Sequence, residues 1–154
     1  TVAEDAVQSV RSALEEGTVP GGGAAYVACV PALEALAKAT AEPDEAAGVR
    51  IIAEALMAPL RQIAINAGYS GPTIAAKMRT KGRRYVFDAL SGQIVPATAG
   101  GILDPTKVVR VALEKATSTA TMILTTDAII LTERMGGVEK RNGRGALRGA
   151  DTEP

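Results

Sequence analysis

Three consecutive glycines, Gly21-Gly22-Gly23, open one helical pattern, and an aspartate followed by a proline, Asp104-Pro105, opens another. Glycine lets a backbone approach a ligand closely, and free amides at a helix start favour an anion. The triplet therefore reads either as a cradle for a phosphate or ribose or as a plain turn between helices. Asp104 alone reads as a helix N-cap. Asp5 alone reads as a solvated charge on a helix, and partner residues are needed to make such a carboxylate a ligand of metal or water. The chain has no His, which excludes His-based triads and the common zinc sites, and its single Cys29 cannot form an internal disulfide. What chemistry remains belongs to carboxylates, hydroxyls, Lys, Arg and backbone amides, and no residue among these supports an active site singly.

The elements that must hold these groups follow from periodicity. Ala3, Ala6, Val7, Val10, Ala13 and Leu14 share one face of a helix that ends at Gly17, and Thr1 is its one capping candidate. A helix start so near the first residue makes the chain read as a piece of a longer protein. Further helices are expected over 24–39 and from Asp44, with a break near Ala58 imposed by Pro59, resumption over 60–66, and a short helix over 72–79. Tyr85-Val86-Phe87 and Gln93-Ile94-Val95 flank the turn Asp88-Ala89-Leu90-Ser91-Gly92 as two short strands, and Gly101-Ile102-Leu103 reads as a third. A helix over 105–124 carries a narrow stripe of Val108, Val109, Ala112, Ala116, Ala120 and Ile123, suited to a close helical neighbour. Asp127 to Thr132 reads as a strand with an unpaired edge, and the glycine- and arginine-rich stretch 134–154 as a disordered tail.

Composition sets the outer bounds. With 17 basic and 17 acidic residues, no global field recruits nucleic acid or an anionic membrane. Three Tyr, one Phe and no Trp argue against a base-stacking platform. Within the tail, the stretch from Arg134 to Arg148 sets five cations, Arg134, Lys140, Arg141, Arg144 and Arg148, against one acid, Glu139, and without aromatics it reads as solvated rather than RNA-binding. Neither a membrane span nor a signal leader is visible, so the reading is cytoplasmic. One domain is the prior at 154 residues.

Order and spacing add what single residues do not. Glu4-Asp5-Ala6 is followed by Glu15-Glu16-Gly17-Thr18-Val19-Pro20-Gly21-Gly22-Gly23, then by Ala58-Pro59-Leu60-Arg61-Gln62-Ile63-Ala64-Ile65-Asn66-Ala67-Gly68. After these come Asp88-Ala89 and Gly101-Ile102-Leu103-Asp104-Pro105-Thr106-Lys107-Val108. In that order they resemble the group I chaperonins, the bacterial and organellar branch of the family, from Thr1 to about Glu133. Thr125-Thr126-Asp127-Ala128-Ile129-Ile130 is similar to the last strand of that family.

The resemblance implies an α+β, mainly helical fold with a small β-hairpin, the C-terminal half of an equatorial ATP-binding domain over 17–133, preceded over 1–16 by the end of an intermediate-domain helix. It implies ATP and Mg as cofactors in the full-length subunit. By motif match Asp5 is the catalytic carboxylate acting on the attacking water, Gly22 lies against the nucleotide, Asp88, Ala89 and Leu90 surround the adenine, and Asp104 accepts the ribose hydroxyls. Other subunits of a ring, a co-chaperonin and unfolded clients are the implied partners. The sequence departs from the family in three places. The phosphate-gripping Thr-Leu-Gly-Pro and Asp-Gly-Thr-Thr-Thr loops do not occur in these residues, Arg84-Tyr85-Val86-Phe87 replaces a glycine with one aromatic, and a basic stretch follows Met135-Gly136-Gly137. A competing reading is a non-enzymatic module that self-associates or docks on full-length subunits.

Overall fold

The computed structural model describes residues 2–128. Seven helices and four short strands follow one another in the order α1 (Val2–Glu16), β1 (Thr18–Pro20), α2 (Ala24–Ala39), α3 (Pro43–Ala55), α4 (Ala58–Asn66), α5 (Gly71–Lys81), β2 (Tyr85–Asp88), β3 (Gln93–Pro96), α6 (Ala97–Gly100), β4 (Leu103–Pro105) and α7 (Thr106–Leu124). The expected helices are present, and proline and glycine set their limits. Pro59 sits in the first turn of α4, where its missing N–H costs nothing, so the chain breaks at Leu56-Met57 instead of continuing as one helix. α5 is longer at both ends than expected, with Pro72 inside its first turn.

The core gathers where α2, α4, α5 and the hairpin meet. Val30, Leu60, Ala64 and Val86 lose all contact with solvent, and Val27, Ile74, Met78 and Phe87 close around them. Burying side chains of this size contributes about 1.5–3 kcal/mol each. Gly23 makes the packing possible: a Cβ there would lie 2.9 Å from the Leu60 backbone nitrogen, and its φ of +79° is one that only glycine adopts freely.

The strands form two separate pairs. β2 and β3 are the expected antiparallel hairpin, with Val86 opposite Val95 and Phe87 opposite Ile94. The third expected strand, Gly101-Ile102-Leu103, is shifted: β4 runs Leu103–Pro105 and pairs antiparallel with β1, a partner not foreseen from the sequence. Three residues ending in a proline carry no strand periodicity, and only the distant partner makes them extended.

A second correction concerns Asp104, which is not the N-cap of α7. The helix starts at Thr106, Pro105 occupies the cap position, and no side chain caps it. As the middle residue of β4, Asp104 turns its carboxylate away to the Gly21-Gly22 turn. α7 leans on α1 through ion pairs of Lys107 with Glu15 and of Arg110 with Glu16, and none of its residues is buried. The strand expected over 127–132 falls outside the described residues beyond Ala128, and Asp127-Ala128 are not extended in a strand; the tail over 134–154 also lies outside.

Candidate functional site

The glycine turn is held by strand pairing. Gly21 donates its amide to the Ile102 carbonyl at 3.0 Å, continuing the β1–β4 ladder by one residue. This brings the turn so close to β4 that a Cβ on Gly21 would meet the Asp104 carboxylate and the Ile102 carbonyl carbon at 3.2 Å. Gly22 follows with φ of +62°, and its amide donates to Asp104 Oδ2 at 3.2 Å. Residues 82 positions apart are thereby joined at the start of α2. The other oxygen, Oδ1, accepts no hydrogen bond among the described residues, and the residue is only partly buried.

The hairpin turn approaches from the other side. The nearest heavy atom to a Cβ built on Gly22 is the Phe87 carbonyl oxygen, at 4.0 Å, so the face of Gly22 is open. Asp88, next along, is used by its own turn: Oδ1 accepts the Leu90 amide at 3.0 Å and Oδ2 accepts the Ser91 hydroxyl at 2.6 Å. The Ser91 and Leu90 donors hold the Asp88 carboxyl below its ordinary range. Leu90 stands out from the turn with 99% of its surface exposed, an apolar side chain with no cover at the rim of the open face. The turn is braced from beneath by Tyr69, whose ring meets Phe87 edge to face at 5.4 Å and lies where any side chain on Gly92 would stand.

Of the expected residues, the structure therefore brings Gly22 and Asp104 into contact, with the Phe87 carbonyl, one residue before the Asp88-Ala89-Leu90 turn, 4.0 Å from a Cβ built on Gly22. Asp5 is apart. It lies in the first turns of α1, exposed, about 17 Å of helix from Glu16 at roughly 1.5 Å per residue. Tyr26 was not singled out from the sequence. Its hydroxyl donates to the Val109 carbonyl at 2.9 Å, tying α2 to α7, and burial together with the nearby Asp104 charge pushes its phenol above the ordinary range. No sequence signal marks it, because a tyrosine on a helix reads as core.

A ribose needs hydrogen-bond acceptors and a closely approaching backbone, and Asp104 Oδ1 with the open Gly22 face meet that need. The 88–90 turn carries the exposed apolar side chain of Leu90, while the Leu90 amide is taken up by Asp88 Oδ1. Among the described residues there is no cluster of three or more His, Cys, Asp or Glu that could hold a metal ion.

A mainly helical scaffold with small two-stranded sheets matches a chaperonin equatorial-domain fragment. The structure of a group III chaperonin in its open state superposes with a TM-score of 0.72 at 31% sequence identity, over 77% of this chain and 25% of that one. The chain thus spans about a quarter of the length of that solved relative. Residues 1–134 match the model of the TCP-1/cpn60 chaperonin family, and the chain belongs to that family. These likenesses establish the family and not the group I branch within it. Among the described residues no helix is long and apolar enough to cross a membrane.

Proposed function

We propose that this chain is a segment of an ATP-dependent, group I-like chaperonin subunit of the cytoplasm, one that works in a ring with other subunits, a co-chaperonin and unfolded clients. Family membership supports a protein-folding role. One observation carries the nucleotide reading: Asp104 and Gly22, far apart in sequence, meet at 3.2 Å, with the Phe87 carbonyl that precedes the Asp88-Ala89-Leu90 turn near Gly22. In this reading residues 17–133 belong to the equatorial domain and 1–16 to the end of the intermediate domain.

Each residue then has a distinct task. Asp104 accepts the ribose hydroxyls through Oδ1 while Oδ2 keeps the Gly22 turn in place, and Gly22 gives the sugar room. The 88–90 turn offers its backbone and the Leu90 side chain to the adenine. Asp5 orients the attacking water once its helix is brought against the nucleotide. Bound MgATP supplies the phosphoanhydride whose cleavage drives the cycle, and its phosphates and metal are held by parts of the subunit other than these residues.

The test is a pair of substitutions in a full-length subunit that contains this segment. Asp5→Ala removes a group needed only as the bond breaks, so turnover falls by orders of magnitude with ATP affinity nearly unchanged. Asp104→Ala weakens ATP binding instead. If Asp5→Ala weakens binding and leaves saturated turnover intact, the catalytic assignment is wrong. The 154 residues by themselves should release no phosphate from MgATP above background, since catalysis of phosphoryl transfer consists of gripping phosphates and metal. Steady turnover by the pure chain, lost in Asp5→Ala, overturns that expectation.

A second reading, an interaction module without hydrolysis, is favoured by one feature. An apolar groove of about 350 Å³ runs between α7 and the α2–α4 layer, lined by Leu56, Pro59, Ala112, Leu113, Ala116 and Ala120.

A further inference from the structure

A cleft of about 630 Å³ is lined by neither Gly22 nor Asp104. It opens between the β1–β4 pair and the base of the hairpin. Thr18, Val19 and Pro20 of β1 and Leu103 of β4 line the cleft, whereas Asp104 is not among its lining residues and gives its carboxylate to the Gly22 amide.

The lining of this cleft is one-sided in charge. Lys81, Arg83 and Arg84 all contribute to it, no carboxylate does, and among the described residues none of the three has an ion-pair partner. Arg79, two residues before Lys81, is by contrast paired with Glu34 at 2.6 Å. The cationic loop is also built in place. The Arg84 carbonyl accepts the Ala97 amide at 2.8 Å, the Tyr85 amide reaches the Gly82 carbonyl at 3.4 Å, and the Lys81 ammonium lies 5.9 Å from the Tyr85 ring centroid. Thr18 and Thr98 also line the cleft and bring hydroxyls to it, and Pro20, Leu103 and the partly exposed Tyr85 give it apolar and aromatic surface.

We propose that this cleft binds a phosphomonoester whose organic part is apolar or aromatic. Two guanidinium forks and an ammonium match a tetrahedral dianion, for which arginine offers paired donors and lysine a point charge. The hydroxyls satisfy its remaining oxygens. The volume is that of a small-ligand site and exceeds what bare phosphate fills, and the Tyr85, Pro20 and Leu103 surface takes the rest. This goes beyond the nucleotide reading, and its fate is independent of it.

The test is a titration of the isotope-labelled 154-residue chain with phenyl phosphate, inorganic phosphate and benzoate, followed by backbone amide signals. Phenyl phosphate should shift Gly82, Arg83, Arg84, Tyr85 and Thr98 saturably, more tightly than inorganic phosphate, and less so as salt is added. Arg83→Gln with Arg84→Gln should weaken that binding by roughly tenfold or more, the loss that charged hydrogen bonds of this kind imply. Lys77→Gln, an exposed cation of α5 outside the cleft, should leave it unchanged. Both arginines are exposed and outside the core, and Lys81→Gln gives a second, graded loss should the double variant fold poorly. Absence of saturation, equal affinity for benzoate or for inorganic phosphate, or binding untouched by the arginine changes would overturn the proposal.

Discussion

Asp104 shows how one side chain changes meaning with its surroundings. Beside a proline and before a helix it has the signature of a cap, yet its acceptor serves an amide 82 residues away. Asp104→Ala should therefore destabilise the fold by about 1–3 kcal/mol in denaturant unfolding, by leaving the half-buried Gly22 amide unpaired. Asp104→Asn, which keeps an acceptor, should restore most of the loss. Asp88 works within its own turn, and its effect is on pH dependence. The Ser91 hydroxyl and Leu90 amide lower its folded pKa below the unfolded value. Its contribution to stability is thus fully present above the ordinary carboxylate range and fades as the pH falls through the lowered value. Asp88→Asn should flatten this part of the stability profile below about pH 4, and an Asp88 that titrates by NMR at the ordinary value would contradict the turn geometry.

Between elements, glycine decides how near helices and strands come. Gly23→Ala asks a Cβ to stand 2.9 Å from the Leu60 backbone and a non-glycine residue to hold φ of +79°. The left-handed backbone alone costs about 1–2 kcal/mol, so the loss in thermal or denaturant unfolding should exceed that of a surface substitution several-fold. Gly17→Ala is the control: its φ is also positive, at +77°, but a Cβ there meets nothing within 4 Å, so only the backbone term remains. The α1–α7 contact is of another kind. Arg110 is shared between Glu16 and Glu114 and holds the Glu16 carboxyl below its usual range, but all three are solvent-exposed. Arg110→Ala should loosen α1 in hydrogen exchange at low salt and matter little at high salt.

At the scale of the molecule, one side is finished and one is open. The core around Leu60 and Val86 is closed, while α7 buries nothing and the groove beside it is apolar. Met122, Ile123 and Leu124 at its end, and Val7, Val10 and Leu14 on α1, are largely exposed. Apolar faces of this extent drive association, so the chain should sediment as dimers or larger species at micromolar concentration and bind apolar dyes. Ala116→Glu, placing a charge in the groove, should shift it toward monomer with little change in helix content. A dilute, dye-silent monomer would count against both the open groove and the self-associating reading.

Much of this was legible from local pattern. Helix positions followed from three- and four-residue spacing, the α3–α4 break from Pro59, and the hairpin from alternating apolar residues around a turn ending at Gly92, because each depends on residues close together in the chain. The ordered motifs likewise pointed to the chaperonin family. Tertiary structure decided the rest. Thr18–Pro20 is a strand only because Leu103–Pro105 lies beside it, and that pairing turns Asp104 from the α7 start to Gly22. The same sheet brings Thr18 and Pro20 to a cleft that Lys81, Arg83 and Arg84 also line. Such contacts span tens of residues and leave no periodic trace, since their energy comes from a partner that the local sequence does not contain.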